Sequence, residues 1–232
     1  IVLEVTESTN LDAAKIVKTA PHGTTILADA QTAGRGRLGR SFFAPSGGIY
    51  MSVILHLNLA FSDAVLITTA ASVAVCKAVE AVSSVRPQIK WVNDILVDGK
   101  KVCGISCEAV SAGETIDAVI LGVGINFSAQ EFPKELQDTA GVLFSKPPIS
   151  RNVLTAEILK NLLEETKDLA SRKFIEDYRM RSAVIGKPIR YLEAGVWHEA
   201  DAVGINENGG LIVLENGLSR TLVSGEVTLR IR

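Results

Sequence analysis

Gln31-Thr32-Ala33-Gly34-Arg35-Gly36-Arg37-Leu38-Gly39-Arg40 sets Gly34, Gly36 and Gly39 among Arg35, Arg37 and Arg40. The run Gly34–Gly39 fits the GxGxxG string of a dinucleotide-binding βαβ unit, which demands a helix immediately afterwards. The residues that follow, Arg40-Ser41-Phe42-Phe43-Ala44-Pro45, carry no amphipathic helical spacing. The string is therefore accidental, and a Walker loop, GxxxxGK[ST], occurs nowhere in the chain. A doubly wound nucleotide-binding fold is set aside. What remains is an irregular loop between two strands, Thr24–Asp29 and Gly48–Leu57. Glycines let backbone amides approach a ligand, and arginines offer planar donors to phosphate or carboxylate. The combination suits an anionic ligand that must be wrapped. Taken alone, the same residues also suit a solvated loop that binds RNA or nothing.

Working outward, Ile1–Thr6 reads as a strand, and Ser8-Thr9-Asn10 offers capping side chains to a short helix over Leu11–Ala20, stopped by Pro21. Ser62 is placed to cap a long helix running to Val82. That stretch is apolar almost all round, but Thr68, Thr69, Ser72, Lys77 and Glu80 mark it as a core helix and not a membrane span. Gln88–Val110 reads as a strand, a short break and a hairpin turning at Asp98-Gly99, and Ala118–Phe127 as a buried strand. Ser150 caps a helix expected over Asn152–Lys173. From Ile185 onward the pattern changes to short strands separated by Gly, Asn and Asp turns, as in a small all-β barrel. The expected division is an α/β domain of mixed sheet over residues 1–184 and a β-barrel domain over residues 185–232.

The chain has 232 residues, 47% of them hydrophobic, which allows a sizeable core. A net charge of −2 gives no global attraction to nucleic acid or an anionic membrane, so any basic chemistry is local. Cys76, Cys103 and Cys107 are odd in number and form no CxxC pair, which points to buried thiols and a cytoplasmic setting. The opening Ile1–Val5 run carries no basic n-region, so it is not expected to be a signal peptide.

Two further segments carry candidate chemistry. In Lys90-Trp91-Val92-Asn93-Asp94 a strand-end lysine facing a cleft would neutralise a phosphate; a surface lysine, a core tryptophan and a plain turn explain the same letters. In Gly122-Val123-Gly124-Ile125-Asn126 small residues would let a flat ligand lie against a strand, and a bulge would use them equally well.

In this order, Ser8-Thr9-Asn10, the Gln31–Arg40 loop, Lys90–Asp94, Lys101-Val102-Cys103-Gly104-Ile105-Ser106-Cys107-Glu108, Gly122–Asn126 and Gly225–Arg230 resemble the biotin–protein ligase family over nearly the whole chain. The resemblance implies an α/β (α+β) mixed-sheet catalytic domain of the biotin/lipoate ligase type with an SH3-like β-barrel behind it. It implies that Ser8, Thr9, Asn10, Gln31, Gly34, Arg35, Gly36, Arg37, Lys90, Gly104, Gly122 and Gly124 bind biotin. Arg37, Arg40, Phe42, Lys90, Asn93, Asn126 and Arg230 would contact ATP. Lys90, Arg37 and Arg35 would carry catalysis, with Lys90 between the biotin carboxylate and the α-phosphate. Mg²⁺ would travel with ATP and needs no dedicated cage. The implied partner is the biotin carboxyl carrier domain of a carboxylase; no DNA or membrane partner is expected, and monomer and homodimer both stay open. The chain departs from the family pattern at Val92, where many members have Pro, and at Phe42, where many have Trp. The loop Phe127–Val142 has no Trp to close the adenine pocket, so Phe127, Phe132 or another apolar residue must substitute.

Three other readings compete. A lipoate–protein ligase or octanoyltransferase shares the fold but generally lacks the arginine–glycine loop. A nucleic-acid module built on Arg35, Arg37 and Arg40 lacks a wider basic stripe. A non-catalytic biotin sensor needs neither Lys90 nor Arg37.

Overall fold

A computed structural model describes residues 1–60, 64–112, 115–128, 131–223 and 225–229. Ser62 and Arg230 lie outside the described residues. A seven-stranded mixed sheet forms the larger part: β1 (Val2–Thr6), β2 (Thr25–Gln31), β3 (Ile49–Ala60), β4 (Gln88–Lys90), β5 (Asp94–Val97), β6 (Lys100–Ala112) and β7 (Thr115–Ile125). Their order is β1-β2-β3-β7-β6-β5-β4. β1 runs parallel to β2, and the remaining neighbours are antiparallel.

Strand alternation assigns the two faces of this sheet. On one face Met51, Val53, Leu55, Cys103, Ile105, Val119, Leu121 and Val123 pack beneath α2 (Ala64–Val82), with α3 (Arg151–Lys167) and α4 (Phe174–Met180) alongside. On the other face Ile54, Ala118 and Ile120 meet Ala13 and Val17 of the segment that starts with α1 (Thr9–Ile16). The apolar stretch Val65–Val82 is 72% buried within the fold, as a core helix is. Asp98 and Gly99 both adopt left-handed φ, +50° and +77°, which completes the expected hairpin turn between β5 and β6.

β6 carries a bulge that the site depends on. Ile95 pairs with Cys103 and Leu96 with Lys101, so Val102 is the extra residue. Val102 and Cys103 both enter the core, and Lys101 turns to the opposite face, which it shares with Gly104.

Two helices differ from expectation. Ser8 holds the N-cap position of α1 but makes no side-chain capping bond; instead the Thr9 N–H is received by Gln31 Oε1 from β2 at 2.8 Å. Ser150 does cap α3, accepting from Val153 N–H. That helix ends at Lys167, not Lys173, because Asp168 leaves helical geometry and Arg172 takes a left-handed φ of +54°. A new helix, α4, then begins.

The C-terminal strands β8 (Lys187–Glu193), β9 (Val196–Ile205), β10 (Leu211–Glu215), β11 (Leu218–Leu222) and β12 (Glu226–Leu229) form an antiparallel sheet ordered β11-β10-β9-β8-β12. Among the described residues β11 and β12 do not pair, so this sheet is not closed. It is tied to the larger sheet by Trp91, whose Nε1 donates to Gly209 O at 2.9 Å.

Candidate active site

The α1 face of the large sheet is open near its centre because Gly104, Gly122 and Gly124 lack side chains there. A Cβ at Gly124 would stand 2.7 Å from Phe42 Cε1, and one at Gly122 would stand 2.6 Å from Asn10 Oδ1. The glycines therefore make room first for Phe42 and Asn10, and through them for the cavity above. The non-atom space of that cavity, open solvent at its mouth included, is about 450 Å³.

Its polar wall comes from Ser8, Thr9 and Asn10 at the start of α1, from Gln31 at the end of β2, and from Ser106 on β6. Arg35, Gly36, Arg37 and Phe42 of the arginine–glycine loop form the mouth, with Asn93 and Lys101 opposite. Met51, Ile105 and Val123, whose side chains enter the core on the opposite face, border it through the strand backbone. The loop is pinned at its base by Phe42 N–H to Gly34 O at 2.8 Å and Gly36 N–H to Arg40 O at 2.7 Å. Gly34 serves this closure and does not line the cavity.

A second cavity adjoins the first. Gly36, Arg37, Phe42, Asn93 and Lys101 line both; Arg40, Ser41, Lys90, Trp91, Asp94, Gly225 and Val227 belong only to the second. Arg37 stands at the junction, half-buried, donating to Asn93 Oδ1 at 3.0 Å. Burial pulls its guanidinium below the ordinary arginine value, and the Asp94 charge opposes that. Lys101 Nζ pairs with Asp94 at 2.6 Å and sits 5.9 Å from the Phe42 ring centroid. Asn93 is held in turn by Nδ2–H to Ile105 O at 2.8 Å, and the buried Tyr178 hydroxyl donates to Val92 O at 3.0 Å. The Trp91–Val92 peptide is cis.

The structure thus gathers Ser8, Thr9, Asn10, Gln31, Arg35, Gly36, Arg37, Phe42, Asn93, Gly104, Gly122 and Gly124 around one cavity. Lys90 and Arg40 reach only the second. Asn126 lines neither: its Nδ2 donates to Gly141 O at 3.0 Å, and its Oδ1 is buried without a partner. Phe127 is spent in the core against Phe144, whereas Phe132 borders a separate open hollow with Lys100 and Gly141. Sequence reasoning missed Lys101 and Ser106. The signal available for both was their alternation with Gly104 along β6, which the bulge obscures for Lys101.

No thiol is poised as a nucleophile: burial pushes Cys76 and Cys107 up to about 12 and Cys103 higher still. Among the described residues no group of three or more His, Cys, Asp or Glu side chains is placed to hold a metal ion.

Two neighbouring hollows, one rich in neutral hydrogen-bonding groups and one in cations, sharing a cationic junction, define a site for joining two small molecules, at least one of them anionic. Comparison agrees: the chain belongs to the Biotin/lipoate A/B protein ligase family, whose sequence model matches residues 2–126. It is 34% identical over 221 residues to the bifunctional ligase/repressor BirA of Bacillus spizizenii, covering 90% of this chain and 67% of that protein. It is 28% identical over 225 residues to a biotin–[acetyl-CoA-carboxylase] ligase of Paracoccus denitrificans, covering 90% and 91%. Among solved structures, the biotin protein ligase of Aquifex aeolicus in complex with biotin and ATP superposes with a TM-score of 0.84 at 29% identity, covering 99% of this chain and 97% of that one.

Proposed function

We propose that this chain is an ATP-dependent biotin–protein ligase. A biotin carboxylate oxygen bonds the α-phosphorus of ATP while the bond to the bridging oxygen of the β-phosphate breaks. The products are biotinyl-5′-AMP and pyrophosphate. The amine of an acceptor lysine, on the biotin carboxyl carrier domain of a carboxylase, then attacks the acyl carbon. AMP leaves and the amine gives up a proton. The ligase needs no covalent nucleophile of its own, in keeping with three thiols held protonated by burial.

The observation that carries this reading is the junction of the two cavities at Arg37 and Lys101. Both reactants are anions, so their approach is opposed by charge repulsion. Fixed cations between them lower that barrier and hold the geometry of attack. On this reading biotin occupies the cavity of Ser8, Thr9, Asn10 and Gln31, with Arg35 and Gly36 folding over it. The triphosphate occupies the cavity of Arg40, Lys90 and Asn93. Lys101, which borders both, takes the bridging role that the family resemblance assigned to Lys90; Lys90 keeps a phosphate contact. Adenine lies toward the hollow that Phe132 borders with Lys100 and Gly141; Asn126, which the family resemblance places near adenine, is buried behind Gly141 and acts there only through the backbone it holds. Gly225 and Val227 border the phosphate cavity; Arg230, outside the described residues, keeps the ATP contact that the family resemblance implies. Mg²⁺, where bound, would be held chiefly by the ATP phosphates and would neutralise their charge; Asp94, the carboxylate bordering the phosphate cavity, is already paired with Lys101.

We take residues 1–184 as the catalytic domain and 185–232 as an SH3-like β-barrel domain, on the change of strand pattern near Ile185. A cytoplasmic setting suits three cysteines with no disulfide partner. The net charge of −2 gives no reason to assign a nucleic-acid partner.

Incubation with biotin, Mg²⁺ and ATP labelled at the α-phosphate tests the proposal. A labelled biotin adduct that transfers to a carrier-domain lysine is the expected outcome. Absence of the adduct, or its formation with lipoate in preference to biotin, would overturn it.

A further inference from the structure

β6 is laddered to β7 only as far as Cys103, opposite Ile125, and beyond that pair the Asn126 N–H closes on Val102 O at 2.8 Å. Lys101 lies past the end of this ladder, beside the bulge. Both of its backbone groups are taken by a segment from much later in the chain. Lys101 N–H donates to Thr139 O at 2.8 Å, and Lys101 O accepts from Gly141 N–H at 2.8 Å. Residues 139–141 thus stand in for the missing length of β7 and pair with β6 in parallel at Lys101. In a strand, the direction of the backbone polar groups and the direction of the side chain are fixed together. These two bonds therefore hold the Lys101 side chain on the face that the bulge gives it.

Asn126 fastens the segment in place. Its Nδ2 donates to Gly141 O at 3.0 Å and lies 3.5 Å from Lys101 O. Both partners are carbonyl oxygens, which only accept, so the amino end of the side chain is the end that faces them. The Asn126 backbone adds a third tie, accepting from Leu143 N–H at 2.7 Å. Asn126 is 5% exposed and lines neither cavity of the site. Gly141 permits the close approach, because a Cβ there would stand 2.8 Å from Lys100 Cβ.

We propose that Asn126, with residues 139–141, is a positioning device for Lys101: it sets where the ammonium stands between the two reactants while Asn126 itself touches neither. The inference rests on the ligase reading and deepens it.

A double-mutant cycle separates positioning from general support of the fold. The readout is single-turnover formation of labelled biotinyl-AMP at saturating biotin and ATP. Asn126→Ala frees the segment, and a shift of the ammonium by a fraction of an ångström should slow the reaction about tenfold. Calorimetric biotin affinity should stay within about twofold, since the first cavity is untouched. In a Lys101→Met background there is no ammonium left to place, so adding Asn126→Ala should cost less than about twofold more. Gly141→Ala moves the same segment from its outer side and leaves the buried Asn126 intact. It should show the same loss and the same disappearance of that loss beside Lys101→Met, and it carries the test should Asn126→Ala fail to fold. An equal loss in both backgrounds, no loss in either variant, or a Lys101→Met enzyme as fast as wild type overturns the inference, while wild-type formation of the adduct preserves the ligase reading. A wild-type protein that forms no biotinyl-AMP overturns both.

Discussion

Replacing Lys101 by Met removes the charge at the junction of the cavities and keeps an unbranched stem against Phe42. The ammonium stands 2.6 Å from Asp94, and its side chain is 36% exposed. A unit charge about 4–5 Å from a developing phosphoryl charge, at an effective dielectric of about 20, is worth about 3–4 kcal/mol. Asp94 and solvent offset part of this, leaving about 2–3 kcal/mol, or about 30–150-fold in the rate of adenylate formation. Lys90→Met is the informative companion. Lys90 borders the phosphate cavity only, so its loss should raise KM for ATP with kcat nearly unchanged, the signature of binding shared by ground and transition states. Single-turnover formation of labelled biotinyl-AMP, run beside thermal melts that confirm folding, separates the two. A Lys101→Met enzyme within threefold of wild type, or a collapse of kcat in Lys90→Met instead, would refute the assignment of the bridging role to Lys101.

Gly124→Ala would place a methyl 2.7 Å from the far end of the Phe42 ring, which lines both cavities and must shift; melting should move little while calorimetric biotin affinity falls about tenfold. Tyr178→Phe leaves the buried Val92 carbonyl without its donor and should cost about 1–3 kcal/mol by denaturant unfolding. In the C-terminal sheet, hydrogen bonds from Tyr191, His198 and Arg220 hold Glu215 down to about 2, against an ordinary 4.5. Its contribution to stability is therefore present above about pH 4.5 and lost as the pH falls toward 2, so the melting difference between wild type and Glu215→Gln should shrink across that window.

The strands and the long core helix were legible because their signals are local. The near-continuous apolar run in Gly48–Leu57, the Asp98-Gly99 turn and the apolar stretch before Val82 each specify one element without help from the rest of the chain. The break after Lys167 was not legible. Helical spacing continues through Leu169 and Phe174, and only the backbone angles of Asp168 and Arg172 reveal that the chain changes direction. Ser8 misled in a similar way. A serine before a helix reads as its cap, yet this one faces the cavity, and a glutamine from β2 receives the first helical N–H instead. Capping by a residue 22 positions away leaves no local trace.

The two lysines show how a single backbone irregularity moves chemistry from one residue to another. Read as a regular strand, β6 puts Lys101 with Cys103 and Ile105, on the face that α2 covers, where an unpaired ammonium would be costly. Lys90, at the end of a short strand beside a loop, then looks the better charge donor. The bulge at Val102 reverses that: one extra residue sends both Val102 and Cys103 into the core and re-aims Lys101 across the sheet to Asp94, Gly104 and Phe42. An insertion or deletion that regularised β6 would return Lys101 to the apolar face and expose Val102 to the cavity. Such a change should therefore abolish adenylate formation even though every residue assigned to the site remained in the sequence.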